Sequence, residues 1–234
     1  ICGFKRPQSY YRDILWGVRD TPYIAVHVPR GEKERTELMY WAWHDVVSHW
    51  NWPGRRGSEM TVDVYVDADE VELFLNGSSL GRRPAGKAVK LIATFTVPYE
   101  PGELRAVTYK SDAVREAVLR TAGPPAALRL SPDRNRLRAV HGDLSFVTVE
   151  LVDGQGALVP DDDREIAFSV CGAGVLLAVG SGNPQANERY TGNRRHTFGG
   201  RCMAVVKANG ETGAITLAAL ADGLPVASAA LQAE

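Results

Sequence analysis

The chain has 234 residues, 44% hydrophobic and 24% charged, with 27 Lys and Arg balanced by 28 Asp and Glu. That balance provides no basic face for nucleic acid or an anionic membrane, and no apolar run approaches the length needed to cross a bilayer. The length suits two domains of ordinary size.

The first residue is Ile1, and no basic n-region with an apolar h-region follows, so the start reads as a cut with no signal peptide in view. From Pro7 to Trp16 the pattern is helical. Proline suits the first turn, Tyr11 and Leu15 stand at i, i+4 with Tyr10 and Ile14 beside them, and Gly17 is a plausible stop. This aromatic-rich helix has no helical partner in the chain, so it is expected to borrow cover from its neighbours.

From Tyr23 the period switches to two. Ile24, Val26 and Val28 alternate with Tyr23, Ala25 and His27, and Val62, Val64 and Val66 alternate with Thr61, Asp63 and Tyr65. Val71, Leu73 and Leu75 run into Asn76-Gly77, a strong hairpin signal. Leu91, Ala93, Phe95 and Val97 form another strand ended by Pro98, and Leu104 to Lys110 follows the turn at Pro101-Gly102. All five tryptophans lie in the first quarter of the chain.

At Gly123-Pro124-Pro125 the composition changes, and the two fixed φ angles mark a semi-rigid linker. Short strands are then expected at 127–130, 145–152, 165–171, 203–208 and 214–219, with turns at Gly154-Gln155-Gly156 and Asn209-Gly210. The fold class is therefore all-β: two tandem immunoglobulin-like β-sandwiches preceded by a short residual helix. The divisions fall at 1–20 (helix), 21–123 (first sandwich) and 124–234 (second sandwich).

Other motifs carry little chemistry. Cys2, Cys171 and Cys202 form no disulfide framework and no zinc spacing, though a Cys171–Cys202 bridge stays open. Asp161-Asp162-Asp163 reads as a solvated turn, since a calcium site needs further oxygen ligands at fixed spacing. Gly180 to Pro184 lacks the Lys-Ser/Thr of a phosphate loop, and Arg189 to His196 reads as a mobile polar surface loop. No cofactor is implied.

Several phrases are more specific. GFKRPQSYYRDILWG (Gly3 to Gly17) resembles the segment that closes the (β/α)8 barrel of glycoside hydrolase family 2. HWNWPGRRGSEMTVDVYVDADEVELFLNGSSLGR (His49 to Arg82) and FTVPYEPGELRAVTY (Phe95 to Tyr109) are similar to the β-domain after that barrel, and Leu144 to Pro184 to the Ig-like domain that follows. The resemblance implies a non-catalytic C-terminal fragment of a β-galactosidase-like enzyme that hydrolyses terminal β-glycosides. The two catalytic glutamates of that family lie upstream, so no catalytic residue is assigned here. The upstream barrel becomes the expected partner, and by resemblance alone the compartment is bacterial periplasmic or secreted.

The candidate carbohydrate-binding residues are Trp41, Trp43, Trp50 and Trp52. Each pair has period-two spacing and projects to one face of an extended segment, where aromatic rings can stack on a galactoside or polysaccharide. The competing expectation is that they pack between this domain and the barrel. His44, Asp45 and His49 sit beside them without metal-ligand spacing. Two further functions stay open: an autonomous carbohydrate-binding module and a cell-surface Ig-like adhesion domain.

Overall fold

The computed structural model describes residues 2–29, 43–111 and 113–234. The chain divides into two compact units, one of residues 5–121 and the other of residues 122–234 together with residues 2–4. Both are β-sandwiches, and the strand pairs are antiparallel except for one short parallel pair in the second unit, Arg136–Leu137 with Gln232–Ala233.

The first unit opens with α1 (Pro7–Leu15). Pro7 occupies the first turn, where its missing N–H costs nothing. The helix ends in a Schellman motif. Gly17 has φ 70°, its N–H bonds to the Ile14 carbonyl at 3.1 Å, and the Val18 N–H bonds to the Asp13 carbonyl at 2.8 Å.

Among the described residues, the strands that follow are β1 (Tyr23–His27), β2 (Val46–Val47), β3 (Glu59–Tyr65), β4 (Glu70–Leu75), β5 (Ser78–Pro84), β6 (Ile92–Pro98), β7 (Glu103–Lys110) and β8 (Ala113–Arg120). They form two sheets, ordered β2-β1-β3-β6 and β5-β4-β7-β8. Ile24, Val26, Met60, Val62, Val64, Phe95 and Val97 from one sheet meet Val71, Leu73, Leu75, Leu104 and Ala106 from the other. Alternation makes this possible, because each strand turns every second side chain inward. At Asn76-Gly77 both residues have positive φ, 50° and 82°, the requirement of a type I′ hairpin between β4 and β5.

The second unit holds β9 (Pro125–Pro132), β10 (Arg136–Leu137), β11 (Leu144–Asp153), β12 (Glu165–Gly172), β13 (Gly174–Gly180), β14 (Arg194–His196), β15 (Arg201–Ala208), β16 (Gly213–Ala221) and β17 (Ala227–Ala233). Its sheets are ordered β10-β17-β16-β12-β14 and β13-β15-β11-β9. Val147, Val149, Leu151, Cys202, Ala204 and Val206 pack against Ile166, Phe168, Ile215, Leu217 and Leu231. All three cysteines are free: Cys202 is buried, Cys171 is exposed and Cys2 is half-buried.

Three expectations change. Leu91 does not begin its strand: Lys90 and Leu91 both have positive φ, and Leu91 joins the cluster under the helix, on the other side of the sheet from Ala93, Phe95 and Val97. Leu15 is half exposed, and the buried side of the helix is Tyr11 and Ile14. Arg194 to His196 is a strand paired with β12, and Arg195 is 0% exposed, so this part of the segment is no surface loop.

Candidate functional site

The outer face of β1, β3 and β6 is where the first unit concentrates aromatic and ionisable groups. Period-two alternation sends Tyr23, Ala25 and His27, Asp63 and Tyr65, and Ile92 and Thr94 to this side, opposite the sandwich core. Helix α1 lies over part of it, burying Ile14 against Ala25, Val46, Tyr65 and Leu91.

Tyrosine rings take part in most of the aromatic contacts here. Tyr10 stacks on Tyr23 with ring centroids 4.2 Å apart, and Tyr23 stacks on Tyr65 at 6.0 Å. Tyr11 meets Trp43 at 4.9 Å and the edge of Tyr65 at 5.6 Å. The Trp43 indole N–H donates to the Tyr65 hydroxyl at 3.3 Å, and the Tyr11 hydroxyl donates to the Lys90 carbonyl at 3.1 Å. Burial pushes the Tyr65 hydroxyl up to about 12, partly offset by the Trp43 bond, so it remains a neutral hydrogen-bonding group at physiological pH.

Beside this cluster, His27 Nε2 stands 2.8 Å from the Asp63 carboxylate, whose other oxygen accepts from the Thr94 hydroxyl at 2.7 Å. His44 lies against His27 with ring centroids 5.0 Å apart. Asp63 is buried in mid-sheet, and these two bonds compensate its lost hydration. The grouping escaped the sequence reading because His27 and Asp63 are 36 residues apart and meet only through the β1–β3 register.

The tryptophans separate. Trp50 is 0% exposed in the sandwich core, with its indole N–H donating to the Glu100 carbonyl at 2.9 Å and its ring edge-on to Tyr99 at 5.0 Å. Trp52 packs half-buried against the same core, tilted on the His49 ring at 4.8 Å, and its backbone N–H bonds to the Tyr99 hydroxyl. Trp43 belongs to the outer cluster, and Trp41 lies outside the described residues. Among the described residues, no three His, Cys, Asp or Glu side chains converge as metal ligands do.

The carboxylates with displaced ionisation are held charged. Bonds from Ser79, Tyr109 and Arg82 lower Glu72. Burial alone would raise Glu150, but Arg129 and Arg201 overcome it. Burial likewise opposes the fall of Glu188, which His196 brings about through its ring and its backbone N–H. A glycosidase general acid requires the opposite displacement, upward toward neutrality.

Residues 128–230 match the family model described as glycoside hydrolase family 2 C-terminal domain 5, and residues 57–115 match a domain of unknown function, DUF4982. The chain is 36% identical over 225 residues to Beta-galactosidase BoGH2A of Bacteroides ovatus, which takes in 94% of this chain and 26% of that protein. It therefore spans about a quarter of that relative's length. A crystal structure of a glycosyl hydrolase family 2 member from Bacteroides cellulosilyticus superposes with TM-score 0.91 at 38% identity, over 100% of this chain and 31% of that one. A β-glycosidase from Bacteroides vulgatus shares the fold at TM-score 0.82 and 24% identity, over 99% and 27% of the two chains.

Proposed function

Because this chain is a C-terminal region belonging to glycoside hydrolase family 2, we propose that it is the non-catalytic accessory part of a β-galactosidase-like enzyme that hydrolyses terminal β-glycosides in carbohydrate metabolism. The observation that carries this is coverage: both units match together, in order, a set of glycosidase chains three to four times longer than this one.

The glutamates with displaced ionisation do not suit the acid of a glycosidase pair. Retaining hydrolysis needs an acid and a nucleophile about 5 Å apart, with the acid's pKa raised. Glu72, Glu150 and Glu188 are instead pinned as anions by arginine, histidine and hydroxyl partners.

The upstream barrel is the partner this reading requires. Trp16 is 70% exposed and sits with Leu15 and Val18 just where α1 ends, an apolar patch of the kind that belongs against another surface. The packing of Trp43, Trp50 and Trp52 favours a structural use of the tryptophans over a sugar platform, because the Trp50 ring has no face open to stack on a pyranose.

The test compares the 234-residue chain with the longer protein that carries it, using aryl β-galactosides and other aryl β-glycosides. The longer protein should turn over at least one of them, and the chain alone should show only the uncatalysed background. Turnover by the repurified chain, lost on mutation within it, would overturn the accessory role. A longer protein silent on every glycoside would overturn the glycosidase reading.

A further inference from the structure

Residues 2–4 group with the second unit although they precede α1 in the chain. Their contacts explain why. A Cβ placed on Gly180, at the end of β13, would stand 2.6 Å from the Cys2 Sγ. The next nearest atoms, in the Tyr190 ring, would be 3.6 and 3.7 Å away, an ordinary contact. Gly180 is not among the positive-φ residues, so its backbone does not demand glycine. What occupies the space of the missing side chain is Cys2. Two residues on, a Cβ at Gly182 would lie 3.7 Å from Phe4 and 4.0 Å from Cys2.

The walls of this notch are held from within. Ser181, between the two glycines, is buried, and its hydroxyl accepts from Arg195 Nε at 3.1 Å. Arg195 Nη1 donates to the Glu188 carbonyl at 3.2 Å, and the Glu188 carboxylate stands 3.5 Å from Nε. The guanidinium lies 5.1 Å from the centroid of the Tyr190 ring, and the Tyr190 carbonyl accepts from the Val179 N–H at 2.7 Å. Burying a whole guanidinium is costly even when paired, and Arg195 Nη2 has no hydrogen-bond partner among the described residues. The cation bridges the two sides of the notch, Ser181 on one and Tyr190 on the other.

We propose that Gly180, Ser181, Gly182 and Tyr190 form a seat on the second sandwich for the chain segment Cys2–Phe4, with Arg195 as its positioning residue. The second unit is then completed by a segment from the other side of the first unit in the sequence. Two covalent crossings, at Phe4–Lys5 and Thr121–Ala122, tie the units together. The contacts that form the seat lie inside the second unit and are independent of any glycosidase activity.

The test is peptide-resolved alkylation of the 234-residue chain with iodoacetamide, each rate normalised to the same peptide in urea. Exposed Cys171 is the reference for a free thiol and buried Cys202 the reference for an intact core. Cys2 should react about tenfold more slowly than Cys171, because reaction requires the segment to lift from its seat. Gly180→Val fills the notch and should bring Cys2 to the Cys171 rate while Cys202 stays silent. Arg195→Met should move Cys2 in the same direction.

A Cys2 that reacts as fast as Cys171 in the unmodified chain overturns the proposal, as does a rate that Gly180→Val leaves unchanged. Should Gly180→Val expose Cys202 as well, the sandwich has opened and Phe4→Ala decides. Faster Cys2 with silent Cys202 supports the seat, and an unchanged Cys2 overturns it.

Discussion

Trp50→Ala separates a packing tryptophan from a sugar-holding one. Trp50 is wholly buried, so the substitution removes a large side chain from a close-packed core and leaves a cavity that Tyr99 and the facing strands refill only in part. Such truncations cost about 3–5 kcal/mol. The Glu100 carbonyl also loses its 2.9 Å donor, which adds roughly 1 kcal/mol if water does not replace it. A loss of about 4 kcal/mol is a large part of the roughly 5–15 kcal/mol that stabilises a domain. At about 3–5 °C per kcal/mol, the first unit's transition should fall by roughly 12–20 °C. Differential scanning calorimetry reads this directly, with the second unit's transition as an internal control. Galactose titration should be silent before and after the change. A melting temperature within a couple of degrees of the parent chain, together with a galactoside affinity that disappears in the variant, would refute the reasoning and make Trp50 a binding residue.

Three further outcomes follow from particular contacts. The Asp153 carboxylate accepts from the backbone N–H groups of Gly123, Gln155 and Ala157 at 2.8–2.9 Å, so Asp153→Ala should cost the second unit roughly 2–4 kcal/mol in urea unfolding. The bond from Gly123, then those within the turn, lower the Asp153 pKa. Its stabilisation is therefore present above the ordinary Asp pKa and lost as pH falls through the folded value, and Asp153→Ala should abolish that part of the acid destabilisation. His196 is raised by its bond to Glu188, with Asp163 and Glu165 adding to it, so its contribution is full below the ordinary His pKa and fades as pH rises through the folded value. An NMR titration should place His196 above a free histidine and Glu188→Gln should bring it back down. Ile14 is the one helix residue fully covered by the first sheet, so Ile14→Ala should cost about 2–4 kcal/mol of helix docking and speed amide exchange across α1, while leaving the strand amides of the second unit unchanged.

Local chemistry in the sequence was sufficient for many of the elements, though not for β8, β13, β14 or β17. Period-two alternation in β3, β4, β6 and β11 names the inward residues because a strand has only two faces. Asn76-Gly77 names its hairpin because few residue pairs accept two positive φ angles. Pro7 and Gly17 bound α1 for equally local reasons. The tertiary structure alone decided which distant residues meet. Whether Trp50 faces a core or a ligand depends on the second sheet laid over it, and the His27–Asp63–Thr94 grouping depends on register across three strands. The burial of Arg195 was the least legible feature, since a run of Asn, Arg, Arg and His carries every mark of a solvated loop. Its position follows from pairing with Ile166 in β12, which turns one arginine inward between two exposed neighbours. Backbone pairing set that inward direction, and Ser181, Glu188 and Tyr190, brought in from another part of the chain, made it tolerable for a cation.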